Sequence, residues 1–153
     1  MSLYISLRFK GIVKKEFRDN FEKIAMYGKW DESDDKILKT FGQDRSARFI
    51  PCAYSIMVDR WNDEPFETSY NKDTGEWIFQ ADINIHSFPW NEWIEEIIPY
   101  CMEYISHFET SYESWGSDYK TTCLEEFNDG KFNLLGWIDE NGKILPKDYF
   151  INI

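Results

Sequence analysis

NKDTGEWIFQADINIHSFPWNEWIEEIIPYCMEYI, residues 71–105, contains the two periodicities that decide the fold of this chain. Asn71-Lys72-Asp73-Thr74-Gly75 has hairpin-turn chemistry, with Gly75 suited to a positive-φ position. Trp77, Phe79, Ala81, Ile83 and Ile85 then recur at every second residue, the period of a strand with one buried face. Ser87 and Pro89 supply helix-start chemistry. Beyond them Trp90, Trp93, Ile94, Ile97, Ile98, Cys101 and Ile105 follow at helical spacing, with Glu92, Glu95, Glu96 and Glu103 toward solvent. Pro99 is expected to kink this helix, because its ring would clash with the Glu95 carbonyl one turn earlier.

On the N-terminal side, Leu3, Ile5, Leu7 and Phe9 alternate with Tyr4, Ser6, Arg8 and Lys10, which predicts a strand. Phe17, Phe21, Ile24 and Ala25 then take helical spacing, with Gly28 as a C-cap. Trp30 to Phe66 is harder to read. Asp31, Glu32, Asp34 and Asp35 suit the first turn of a short helix through Ile37, Leu38 and Phe41, and Cys52, Tyr54, Ile56 and Val58 alternate as a strand. On the C-terminal side, Phe108, Thr110 and Tyr112 start another strand. Turns at Asn128-Asp129-Gly130 and Asn141-Gly142 then divide a meander through Leu124, Phe127, Leu134, Trp137 and Ile144. The expected fold is one α+β domain over residues 1–153: a ferredoxin-like antiparallel or mixed sheet, two main helices packed on one face, and a C-terminal β-meander.

The stretch from Trp77 to Glu126, with its strand-to-helix junction Ser87-Phe88-Pro89-Trp90 and following hairpin, resembles the ferredoxin-like domain of the YubB family of phage and plasmid proteins. The likeness covers about a third of the chain and is mostly topological. Trp115-Gly116 lies after the helix, whereas that family places its Asn-Trp-Gly motif before it, so no functional residue is carried over.

Aromatics are 18% of the chain, and a side chain of this type buries about 150–250 Å², so a core can be filled despite an apolar fraction of 42%. Seventeen basic residues against 28 acidic ones give a net charge of −11, which disfavours generic nucleic-acid binding and anionic membranes and favours a basic partner. The same charge also serves solubility. Cys52, Cys101 and Cys123 have no paired spacing, and there is no apolar run of spanning length or leader. Together these predict a cytoplasmic protein without disulfides, metal or cofactor.

Motifs for nucleophile elbows, phosphate loops, dinucleotide binding and zinc hydrolysis are absent from the sequence. Asp82, Asn84 and His86 share the polar face of one strand and are the weak catalytic candidates; the solvated side of a half-buried sheet, which the alternation already predicts, is the favoured reading of them. His86 ends one predicted strand and His107 begins the next, about 25–30 Å away at about 3.3 Å per residue, which argues against a two-His metal site. Arg45 and Arg48, with Lys39, Phe41 and Phe49 interleaved, could receive a small ligand or a single strand. Trp61, Trp90, Trp115 and Tyr119 lie at element ends, where exposed rings beside carboxylates would serve as interface anchors. The leading expectation is a non-catalytic protein-binding module, of the immunity, antitoxin or phage-inhibitor kind, that meets a basic protein. An enzyme with a dispersed site at Asp82, Asn84 and His86, or a small-ligand or single-strand binder through Arg45 and Arg48, are the alternatives. The meander would leave a sheet edge open to a homodimer.

Overall fold

The computed structural model describes residues 3–53, 57–112 and 121–150. Seven strands form one antiparallel sheet in the order β2-β3-β1-β4-β5-β6-β7. The strands are β1 (Tyr4–Val13), β2 (Ser69–Asn71), β3 (Glu76–Asn84), β4 (Met102–Tyr112), β5 (Thr122–Asn128), β6 (Lys131–Ile138) and β7 (Ile144–Leu145). β1 runs between β3 and β4 and is antiparallel to both, so a crossover carries the chain from β3 over β1 to β4. The mixed α+β class, the β2–β3 hairpin and the C-terminal meander agree with the sequence reading, and Gly75 takes φ 78° in the hairpin turn.

The helices are shorter than the periodicity predicts. Before β2 lie α1 (Glu22–Tyr27), closed by left-handed Gly28, and α2 (Lys36–Phe41), capped by Asp35 Oδ1, which accepts from the Ile37 and Leu38 amides. The predicted helix through Ile105 ends at Cys101: short α turns at Trp90–Glu92 and Ile98–Cys101 flank a π turn at Trp93–Ile97. That wider turn takes up the distortion expected of Pro99, which lies in the first turn of the last α segment where its missing N–H matters least. Met102 and Ile105 then join β4 opposite Val13 and Gly11. His107 consequently lies inside β4 and not at its start. Level with Ile78 across Lys10, it is eight residues along from His86, about 26 Å at strand rise. Of the strand predicted over Cys52–Val58 only the ends are described, Cys52 closing a short helical segment and Val58 preceding a 3-10 turn, while Tyr54 and Ile56 lie outside the described residues.

Alternation along β1 sends Leu7 and Phe9 to the face covered by the helical connections. Phe9 is the hub of this core, with ring centroids 5.0 Å from Trp77, 4.7 Å from Phe79, 6.1 Å from Trp93 and 6.3 Å from Phe108. Buried indoles find acceptors: Trp77 donates to the Ala25 carbonyl at 3.0 Å and Trp30 to that of Ile50 at 3.0 Å. Among the described residues no helix is long and apolar enough to cross a membrane. Because Phe9 is wholly buried in this ring lattice, Phe9→Ala is expected to lower unfolding free energy by about 3–5 kcal/mol in urea denaturation, whereas exposed Tyr27→Ala should stay within about 0.5 kcal/mol. Equal losses at the two positions would refute Phe9 as the hub.

Candidate functional site

The opposite face of the sheet carries a polar ladder instead of an apolar one. Register places Gln80, Arg8 and Glu109 in one row across β3, β1 and β4, and Asp82, Ser6 and Ser111 in the next. Buried polar groups need partners, and a strap formed by residues 57–68 supplies many of them. The Met57 amide donates to Asp82 Oδ2 at 3.2 Å, while Ser6 Oγ donates to Asp82 Oδ1 at 2.6 Å. The Phe66 amide donates to Gln80 Oε1 at 2.9 Å, and Arg8 donates to the Glu64 carbonyl.

Glu109 anchors the row. Its side chain is fully buried, yet its carboxylate meets donors from three directions. Arg60 Nη2 reaches Oε2 at 2.7 Å, Trp61 Nε1 reaches it at 3.3 Å, and the Thr122 hydroxyl also donates to it. Thr122 Oγ1 in turn accepts from Arg60 at 2.6 Å, and His107 Nε2 lies 2.8 Å from Glu109 Oε1. Burial pushes the Glu109 carboxyl upward, but the hydrogen bonds from His107 and Thr122 and the charge of Arg60 outweigh it, holding the group down at about 2. Arg8 completes the cluster, its guanidinium carbon 3.9 Å from the Phe66 ring centroid; burial pulls its pKa downward. A cleft of 460 Å³ opens over these groups, lined by Arg8, Arg60, His107 and Glu109 within and Asp63, Glu64 and Glu140 at the mouth.

Other sequence candidates are placed differently. Asp82 is buried beneath the strap, so the face holding Asp82, Asn84 and His86 is not the open sheet face expected; Asn84 Oδ1 accepts the His86 amide, and His86 is exposed beyond the strand end. Trp61 is fully buried and bonds Glu109, which removes the exposure that an interface anchor needs. Trp90 is half-buried against Trp93 and Phe108. Trp115 and Tyr119 lie outside the described residues. Arg45 and Arg48 are exposed in a second cleft of 540 Å³, where Lys29 joins them but Asp31 and Asp44 oppose their charge. Cys101 is buried in the core. Among the described residues no group of three or more His, Cys, Asp and Glu is placed to hold a metal ion.

The sequence reading missed Arg8, Arg60, Glu109 and Thr122. The signal was present in part: His107 and Glu109 stand two apart on one strand and so share a face, and Arg8 holds a polar position in the β1 alternation.

A carboxyl held near 2 when folded, and at its ordinary 4.5 when unfolded, means that the unfolded chain binds the extra proton between those values. Stability is therefore present above about pH 4.5 and lost as pH falls toward 2, by roughly 3 kcal/mol in all. Glu109→Gln should abolish that part of the acid dependence in urea denaturation and, by leaving Arg60 buried without its counter-charge, cost about 3–5 kcal/mol at neutral pH. An unchanged acid slope in the variant would refute the assignment. No protein-family model, no curated protein and no solved structure matches this chain.

Proposed function

We propose that this chain is a non-catalytic protein-binding module that meets a basic partner through the outer edge of β6 and the apolar side chains around it. The observation carrying this reading is where exposed apolar residues gather. Leu134, Leu135, Ile144, Tyr149 and Phe150 are exposed and fall within the last two strands and the segment after them. β7 pairs with β6 only at Trp137 and Ile138, so the outer backbone of Lys131–Gly136 has no strand partner among the described residues. An unpaired edge beside an apolar patch is the geometry that accepts an added strand.

Charge selects the occupant. Within residues 131–150, Lys131, Lys143 and Lys147 offset Asp139, Glu140 and Asp148, so the patch is neutral while the whole chain carries −11. A basic protein is drawn to the chain by the long-range field and meets a patch of no net charge, whereas a second copy is repelled at a distance. The immunity, antitoxin or phage-inhibitor roles named above are the biological forms of such a module. A ferredoxin-like reading of the fold is supported by the order β2-β3-β1-β4 with helical connections after β1 and β3, to which the meander adds three strands.

Cross-linked capture from the native host should recover a basic protein with the wild-type chain and lose it with Leu135→Lys/Ile144→Lys. Hydrogen exchange with the purified partner should protect the β6 amides. A partner retained by the double variant, or a sedimentation shift showing a homodimer that the variant dissolves, would overturn the reading.

A further inference from the structure

Two carboxylates on the neighbouring strands β4 and β5 are treated oppositely by the fold. Glu109, on the strap face, is fully buried and meets Arg60, Trp61, Thr122 and His107. Glu125 has no hydrogen bond or ion pair among the described residues. Register sets it opposite Phe108 of β4 on one side and Leu134 of β6 on the other. It therefore shares the face of the aromatic core, where Phe132 lies 5.0 Å from Phe108 between ring centroids. Glu125 is half-buried there, and its oxygens are not sealed from solvent. Burial pushes its carboxyl upward with no cation to offset it. Tyr112 and Cys123 are pushed upward by burial and then by the Glu125 charge, and neither supplies a positive group.

A half-buried carboxylate between apolar neighbours is costly until a cation meets it. Leu134 stands between Glu125 and the outer edge of β6, which has no strand partner over Lys131–Gly136 among the described residues. A strand added there would lie about 4.8 Å beyond β6, and so about 9.6 Å from β5. Its residue opposite Leu134 would share the face of Glu125, and that span is within the combined reach of an arginine or lysine and a glutamate. Long cationic side chains lay their apolar stems on apolar surface and carry the charged head past its edge. Leu134, 38% exposed, offers such a surface. We infer that the strand received by β6 carries an arginine or lysine opposite Leu134, its stem over that leucine and its head paired with Glu125. The inference rests on β6 being the docking edge, and it adds the contact by which a basic segment is selected. An acidic residue at the same position would meet Glu125 with like charge and be rejected.

The experiment is NMR titration of the full chain, labelled with ¹⁵N and ¹³C. The probes are capped peptides of alternating Thr and Val that differ only at one central residue, which is Arg, Lys, Gln or Glu. The Arg and Lys peptides should shift the β6 amides saturably and bind at least about tenfold more tightly than the Gln peptide, the effect of one charge-assisted bond. The Glu peptide should bind more weakly than the Gln peptide. Titration of the Glu125 carboxyl carbon should move to lower pH with the Arg peptide bound, because a cation favours the ionised form. Glu125→Gln should make the Arg and Gln peptides bind alike without weakening the Gln peptide. Equal binding of these two peptides at the β6 edge of the wild-type chain would overturn the Glu125 assignment and leave the edge reading standing. So would a preference for Arg that Glu125→Gln retains. If no peptide moves the β6 amides, the edge reading falls, and this inference with it.

Discussion

A carboxylate with no access to water sits near the middle of the sheet, and the arrangement of the second face follows from keeping it charged. Glu109 is stable there because donors from β4, β5 and the strap converge on it. Each donor fixes a different part of the molecule: His107 its own strand, Thr122 the neighbouring strand, and Arg60 and Trp61 the segment laid across both. Register is bound to the same group. A one-residue slip of β4 against β1 would turn Glu109 from its place opposite Arg8 into the face that holds Phe9 and Phe108. A charge among those rings would have no donors, so the slipped pairing is excluded by electrostatics as well as by packing.

How far the fold was legible depends on whether an element is held by periodic apolar contacts or by specific polar ones. β1, β3 and the meander declare themselves because a period of two and well-marked turns recur in them. The junction at Cys101 and Met102 does not, since Ile105 satisfies a helical stripe and a strand face equally, and only pairing with Gly11 decides between them. The strap is less legible still. Its attachment runs through side chains bonded to backbone groups, as in Gln80 with Phe66 and Asp82 with Met57, and such pairs leave no pattern in the chain. That is why Asp82 reads as solvated and Trp61 as exposed, although both lie under or within the strap.

The aromatic surplus also has a different use from the one composition suggests. Trp30, Trp61, Trp77 and Trp93 are fully buried, and the rings of Phe9, Phe21, Phe79 and Phe108 interlock with three of these indoles in a continuous lattice. With these rings turned inward, the exposed apolar surface near the C-terminus rests as much on aliphatic Leu134, Leu135 and Ile144 as on Tyr149 and Phe150. Gly136 helps set that end: a Cβ there would lie 2.4 Å from the Leu145 carbonyl oxygen, so the absence of a side chain lets the last strand lie close over β6.

The strap's attachments also bear on the order in which the chain can be completed during synthesis. Arg60 is separated from Glu109 by 49 residues and from Thr122 by 62. While a ribosome is still making β4, the first three strands can pair and their rings can collapse, but Arg60 and Trp61 have nothing to close upon. The part of the polar face around Arg60 and Trp61 therefore stays open until Glu109 emerges in β4 and is complete only with Thr122 of β5, and any product ending before Glu109 would leave a guanidinium and an indole exposed to the quality-control machinery that recognises unfinished chains.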